Sequence, residues 1–263
     1  MSSTLELASR VARAARRPGA RRTLLLDLDG TLAPIVRTPS RATVPPRTLE
    51  ALRRLVKQGW TVAIVTGRPA TEARRLVPVR GIKIFGGHGL EGSWSRRGSR
   101  RSNPGLRRRL AELARTARRL ARGTPGLLVE HKPSGLALHD RQVPRGLRAS
   151  WHRRLDEWLD REDLRGLERI DGKCVTELRP AGAHKGQVVA TLPTRKDAPV
   201  PDASLVGVGD DRTDEDLFRA LRGRGLAIRV GRPGVHSAAR RRLTSPAAVQ
   251  RFLAELARAG AGP

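Results

Sequence analysis

Asp27 and Asp29 stand two residues apart in Asp27-Leu28-Asp29-Gly30-Thr31-Leu32, directly after the apolar run Thr23-Leu24-Leu25-Leu26. In an extended chain, residues i and i+2 project to the same side, so both carboxylates leave the end of that run together. Gly30 then permits a tight turn. Alone, this segment could equally be an acidic turn that closes a strand. Three further segments point to chemistry. Thr66-Gly67-Arg68-Pro69 sets a hydroxyl beside a helix start, where free amides favour an anion, although Thr is also an ordinary helix N-cap. Lys185-Gly186 opens another expected helix and offers a point charge. Gly209-Asp210-Asp211-Arg212-Thr213-Asp214-Glu215-Asp216 crowds five acids into a chain whose net charge is +28. Such crowding is unfavourable without a cation, and hard carboxylate oxygens suit Mg²⁺; the plainer alternative is a helix with an acidic first turn. A carboxylate nucleophile, a hydroxyl, a lysine and metal-binding carboxylates together make the inventory for phosphoryl transfer through an aspartyl phosphate.

An alternation of strands and helices must position these groups. Short apolar runs at 23–26, 60–65, 82–85, 204–208 and 226–230 read as strands buried on both faces of a parallel sheet. Helices are expected at 46–58, from Pro69, at 184–191, 214–222 and 246–258. All four chemical segments then fall at carboxyl ends of strands or at adjacent helix starts, where open α/β sheets bind ligands. Between about 103 and 182 the rhythm changes. A basic helix at 105–122 precedes hairpin strands at 127–132 and 136–141 across Pro133-Ser134-Gly135, then a helix at 147–160 and a strand at 174–179. The expected architecture is α/β: a doubly wound, Rossmann-like parallel-sheet core with an inserted α+β cap. Its segments are a basic extension at 1–22, core at 23–102, cap at 103–182 and core again at 183–263. Strand alternation gives Glu130 and Lys132 one face, His139 and Arg141 another, and Lys173, Glu177 and Arg179 a third. These faces offer both donors and acceptors, as sugar hydroxyls require; cross-strand ion pairs facing solvent are the ordinary alternative.

Composition bounds the setting. A chain of 263 residues can bury a full core without staples. Its single cysteine, Cys174, excludes an internal disulfide framework and a cysteine-based zinc finger, and suits a reducing compartment. No apolar run approaches the roughly 18 residues of a membrane span, and no signal-peptide core is present. A cytoplasmic monomer acting on a small molecule is expected. Only six of the 53 cations are lysine, and arginine is spread over the expected surface helices. Eleven arginines cluster between Arg96 and Arg122 with Glu112 as the one acid. Such a stripe could hold phosphate backbones. With no Tyr and three Phe the chain is poorly supplied for base stacking, so a solvated helix face is expected rather than specific nucleic-acid binding. The Ser-, Ala- and Arg-rich leader 1–22 shares the composition of transit peptides, but a frayed or surface-docked helix is the plainer reading.

The four segments resemble the four motifs of the haloacid dehalogenase superfamily of phosphatases. That resemblance implies Asp27 as nucleophile and Asp29 as general acid and base, with Thr66 and Lys185 holding phosphoryl oxygens. It implies Mg²⁺ bound by Asp27, Asp210 and the backbone carbonyl of Asp29, with Asp211 and Asp214 nearby. Gly87-His88-Gly89-Leu90-Glu91, Glu130-His131-Lys132, His139-Asp140-Arg141 and Glu177-Leu178-Arg179-Pro180 closely resemble the trehalose-6-phosphate phosphatase family, over about 23–258. The implied substrate-binding residues are Gly67, Arg68, His88, Gly89, Glu130, Lys132, Arg141 and Glu177. Family members often carry an aromatic residue where this chain has Asp140, and usually Ser where it has Thr66. The implied reaction is hydrolysis of trehalose 6-phosphate. A neighbouring alternative keeps the chemistry and changes the substrate to sucrose phosphate or a glucosyl- or mannosyl-3-phosphoglycerate. Closure of a cap would exclude water, with hinges expected near 102–105 and 181–183.

Overall fold

The protein is described by a computed structural model over residues 4–92, 94, 104–132, 135–172, 174–192 and 202–260. It divides into two compact units, Met1–Arg100 with His184–Pro263, and Arg101–Ala183. In the first unit the strands are β1 (Thr23–Leu26), β2 (Thr61–Val65), β3 (Lys83–Phe85) and, after the second unit, three more. The second unit supplies β4 (Leu128–Lys132), β5 (Gly135–His139), β6 (Leu167–Gly172) and β7 (Val175–Pro180). The chain then returns with β8 (Leu205–Gly209), β9 (Leu226–Val230) and β10 (Arg241–Leu243). The first sheet runs β10-β9-β8-β1-β2-β3, and every pairing in it is parallel.

Alternation within the strands explains why helices cover both faces. Leu24 and Leu26 of β1, Val62 and Ile64 of β2, and Val206 and Val208 of β8 enter one apolar cluster. It is closed by α1 (Thr4–Ala15), α2 (Pro46–Lys57), α3 (Ala70–Leu76) and α8 (Pro246–Gly260). The intervening Leu25, Ala63, Val65 and Leu205 point the other way, against α6 (Gly186–Ala190) and α7 (Glu215–Ala220). A sheet apolar on both faces must be covered on both, and the result is doubly wound.

The leader is part of this core. Leu7, Ala8, Val11, Ala12 and Ala15 form the buried stripe of α1, and Arg16 donates to the Ala259 carbonyl at 2.6 Å. Truncating such a side chain removes apolar burial and leaves a cavity. Leu7→Ala is therefore expected to lower stability by roughly 2–4 kcal/mol, read as a shift of the urea midpoint at unchanged slope. An unshifted midpoint would mean that α1 lies free of the core.

The second unit is built on an antiparallel sheet, β4-β5-β7-β6. One face packs against α4 (Pro104–Ala121) and α5 (Arg145–Leu159) through Leu136, Leu138, Leu178, Leu113, Trp151 and Leu155. Glu130, Ala137 and Glu177 are cross-strand partners and so share the opposite face. Two strands escape the sequence pattern. β6 reads Leu-Glu-Arg-Ile-Asp-Gly and β10 Arg-Arg-Leu, edge strands whose charges hide any apolar alternation. Strand β5 also ends earlier than expected. Its pairing stops at His139, Asp140 donates its N–H to the Cys174 carbonyl, and Arg141 lies exposed in the following turn. Residues 96–103 of the arginine stripe, with the Asn103 hinge position, and Pro133, Ser134 and Lys173 lie outside the described residues.

Candidate active site

The strand order sets β1 between β8 and β2, so their carboxyl ends open side by side. Asp27 follows β1, its N–H bonded to the Val208 carbonyl at 2.9 Å. Thr66 follows β2, and Asp210 follows β8. Gly30 is what allows the β1 and β8 turns to meet. It has φ +78°, and a Cβ there would lie 2.1 Å from a carboxylate oxygen of Asp210.

Lys185 caps the start of α6 and is 2% exposed. Its ammonium donates to Asp27 Oδ1 at 2.6 Å and to Asp214 Oδ1 at 2.8 Å. Asp214 Oδ2 accepts the N–H groups of Asp210 and Asp211, both at 3.1 Å, and so shapes the turn that carries Asp210. Carboxylate oxygens of Asp27, Asp210 and Asp214 lie within 4.8 Å of one another. Burial and the charges of Asp214 and Asp210 push Asp27 well above the ordinary carboxylate range, against the pull of Lys185. Burial and Asp214 likewise push Asp210 up to about 7. For Lys185 burial disfavours the charge, but Asp214 and Asp27 outweigh it and hold the ammonium protonated.

With all three carboxyls ionised, one ammonium would leave an excess of two negative charges, and burial together with that excess raises Asp27 and Asp210. All the donors are hard oxygens, and the space at Gly30 admits Asp210 closely. The residues thus fit a divalent cation of the Mg²⁺ type. Asp27 and Asp210 are the carboxylates with room for such an ion, whereas Asp214 is already engaged at both oxygens. Two expected members stand apart. Asp211 and Asp214 reciprocally cap the turn Arg212–Asp214, so Asp211 does not join the carboxylate group. The Asp29 carboxylate is turned to Arg68, and only its backbone was expected to meet a metal.

Thr66 is 1% exposed and its hydroxyl accepts the Arg68 N–H at 3.1 Å. The loop 86–91 moulds this turn. Gly87 N–H bonds the Arg68 carbonyl and His88 N–H bonds the Thr66 carbonyl, each at 2.9 Å. His88 takes φ +57°, and its ring lies where a Cβ on Gly67 would come within 2.7 Å. Glu91 accepts the Ala70 N–H at the start of α3. Gly67, Arg68, His88 and Gly89 are therefore gathered around one turn. Arg68 itself is committed: its guanidinium bonds Asp29, Glu72 and the Pro39 carbonyl. Sequence reasoning missed Glu72 and Pro39, although Arg68 and Glu72 have the i, i+4 spacing of helical ion pairs.

In the second unit Lys132 Nζ meets Glu177 Oε1 at 2.8 Å and Glu130 Oε2 at 3.9 Å, and His139 Nε2 lies 2.9 Å from Glu130 Oε2. Burial raises the Glu130 carboxyl, but the bond with His139 and the charge of Lys132 prevail and hold it below its usual range. This polar face brings together Glu130, Lys132 and Glu177. Arg141 lies in the turn beyond β5, where it is exposed. Arg179 instead pairs with Glu168 at 2.7 Å.

The family model for trehalose-phosphatase matches residues 25–247. A protein of Mycobacterium tuberculosis, described as an uncharacterized glycosyl hydrolase, is 37% identical over 257 residues, with 91% of this chain matched. The chain spans only 18% of that relative's length. A Sinorhizobium fredii protein named "Probable trehalose-phosphate phosphatase" is 35% identical over 243 residues, which cover 89% of this chain and 87% of that one. The solved C-terminal domain of C. albicans trehalose-6-phosphate phosphatase matches 97% of each chain with a TM-score of 0.79 at 22% identity, and so has the same fold.

Proposed function

The chain belongs to the trehalose-phosphatase family, and on that premise we propose that it hydrolyses trehalose 6-phosphate to trehalose and phosphate. The observation that carries this reading is the gathering of Asp27, Asp210 and Asp214 around Lys185, beside Thr66 at one sheet edge. A carboxylate oxygen of Asp27 attacks phosphorus as the bond from phosphorus to the sugar oxygen breaks. Asp29 delivers a proton to that leaving oxygen, which departs as the free sugar hydroxyl. Asp29 then takes a proton from water, whose oxygen attacks phosphorus and releases Asp27 and inorganic phosphate. Lys185 fixes the rotation of Asp27, and with Thr66 supplies donors to the phosphoryl oxygens. Asp27 and Asp210 would hold Mg²⁺, which supplies charge neutralisation for the transferring group when bound. We assign sugar recognition to Glu130, Lys132 and Glu177, and a cytoplasmic setting, whose reducing conditions its single cysteine suits.

Phosphate release from trehalose 6-phosphate tests this reading, with Mg²⁺ and with chelator, beside sucrose 6-phosphate and glucosyl- and mannosyl-3-phosphoglycerate. Release that needs the metal and prefers trehalose 6-phosphate is expected. Preference for another member would keep the chemistry and overturn the sugar assignment. Within that assay, Glu177→Gln removes a charged hydrogen-bonding group, and is expected to raise KM for trehalose 6-phosphate roughly tenfold. Turnover of p-nitrophenyl phosphate, which has no sugar, should be unchanged. Equal losses on both substrates would place Glu177 outside sugar recognition.

A further inference from the structure

We propose that Arg68 is a positioning residue for Asp29, and that Glu72 holds Arg68 in that task. The proposal rests on the role given above to Asp29. Arg68 Nε donates to Asp29 Oδ2 at 2.6 Å and Nη2 to Asp29 Oδ1 at 2.7 Å, a two-pronged grip on one carboxylate. Nη2 also reaches the Pro39 carbonyl at 2.9 Å, and Nη1 bonds Glu72 Oε1. These four bonds occupy four of the five N–H groups a guanidinium has. The side chain is 8% exposed, whereas that of Asp29 is 40% exposed. Arg68 thus has little left to offer a substrate oxygen, and much that fixes Asp29.

The need for such a grip follows from where Asp29 sits. It lies in the turn beyond β1, and its half-exposed carboxylate would otherwise rotate about a broad terminal torsion. The planar fork removes that freedom, and an ammonium cannot replace it. Arg68 is itself rooted in the Thr66 turn, through its N–H to the Thr66 hydroxyl and its carbonyl to the Gly87 N–H. One residue therefore ties the turn expected to hold phosphoryl oxygens to the group that handles the leaving oxygen and the water.

A kinetic double-mutant cycle decides the matter. The wild type, Asp29→Ala, Arg68→Gln and the double variant are compared on whichever phosphomonoester the wild type turns over fastest. A positioning role predicts that Arg68→Gln lowers kcat roughly 30–100-fold, with KM within about twofold. Added to Asp29→Ala, the same change should cost less than about threefold more, because the group it positions is gone. Arg68→Lys should not rescue kcat, and Glu72→Gln should lower it several-fold while keeping the Asp29 pair. A folding defect would reduce activity equally in both backgrounds, so the cycle separates it from positioning. Raised KM at preserved kcat, or losses that multiply in the double variant, would overturn the proposal and make Arg68 a substrate contact. A wild type that turns over no phosphomonoester would overturn the function itself and this role with it. An active wild type with multiplying losses overturns the positioning role alone.

Discussion

Asp27→Asn is expected to lower phosphate release roughly 10⁵-fold, the order of effect seen when a covalent nucleophile is removed. That corresponds to about 7 kcal/mol of lost transition-state stabilisation. Two of the nearby carboxylates are already engaged, and the third, Asp210, would hold the metal. Asp214 is bonded at both oxygens, and Asp29 is held by Arg68. The fold should not suffer, because Asn matches Asp in shape and the change removes one of three carboxylates packed within 4.8 Å. The sign of the pH effect follows from the raised carboxyls. Folded Asp27 and Asp210 keep protons that the unfolded chain releases from about pH 4 upward, so without a cation stability falls as pH rises from there toward 7. Asp27→Asn removes part of that loss. Its melting temperature in chelator at pH 7 should equal or exceed that of the wild type, while the gain on adding Mg²⁺ should shrink. Activity within tenfold of wild type would place the nucleophile elsewhere.

Much of this site was legible because strand ends and glycines are legible. Thr23-Leu24-Leu25-Leu26 reads as a buried strand without any tertiary information, and two carboxylates two residues apart must leave its end together. The acidic turn 209–216 stands out against a chain of charge +28. What stayed hidden depends on distances along the chain. Nothing local shows that Arg68 will reach back 39 residues to Asp29 instead of forward to a substrate. Nor does spacing reveal that Asp214 will turn inward to Lys185 while Asp211, three residues before it, caps the turn. The placement of Arg141 beyond the strand has a backbone reason. Cys174 takes φ +62° at the hairpin opposite, the pairing ends at His139, and alternation no longer applies two residues later. In α1 Ala8, Ala12 and Ala15 share the buried stripe with only Leu7 and Val11, and so the leader reads as a frayed or surface-docked helix until its packing into the core is seen.

Lys185→Met should damage stability and catalysis together, and the two losses have separable causes. Among the described residues the Lys185 ammonium is the cation bonded to both Asp27 and Asp214, and all three side chains are 7% exposed or less. Methionine keeps much of the length and apolar stem, so the change isolates the charge. Two buried carboxylates then lose their partner, an effect of about 3–5 kcal/mol, which is read as a lowered urea midpoint at pH 7. In the wild type the raised Lys185 makes the same point from the other side. Its contribution is fully present below the unfolded lysine value, about 10.4, and is lost as pH climbs through the folded one. The Met variant should therefore unfold with less alkaline sensitivity than its parent. Mg²⁺ should recover part of its midpoint, because a divalent ion also offsets the excess negative charge. It should not recover turnover. With Asp27 free to rotate and one donor to the phosphoryl oxygens missing, kcat is expected to stay roughly 10³-fold down even at saturating metal. Recovery of both by Mg²⁺ would reduce Lys185 to a counter-charge. Recovery of stability alone identifies it as the group that aims the nucleophile.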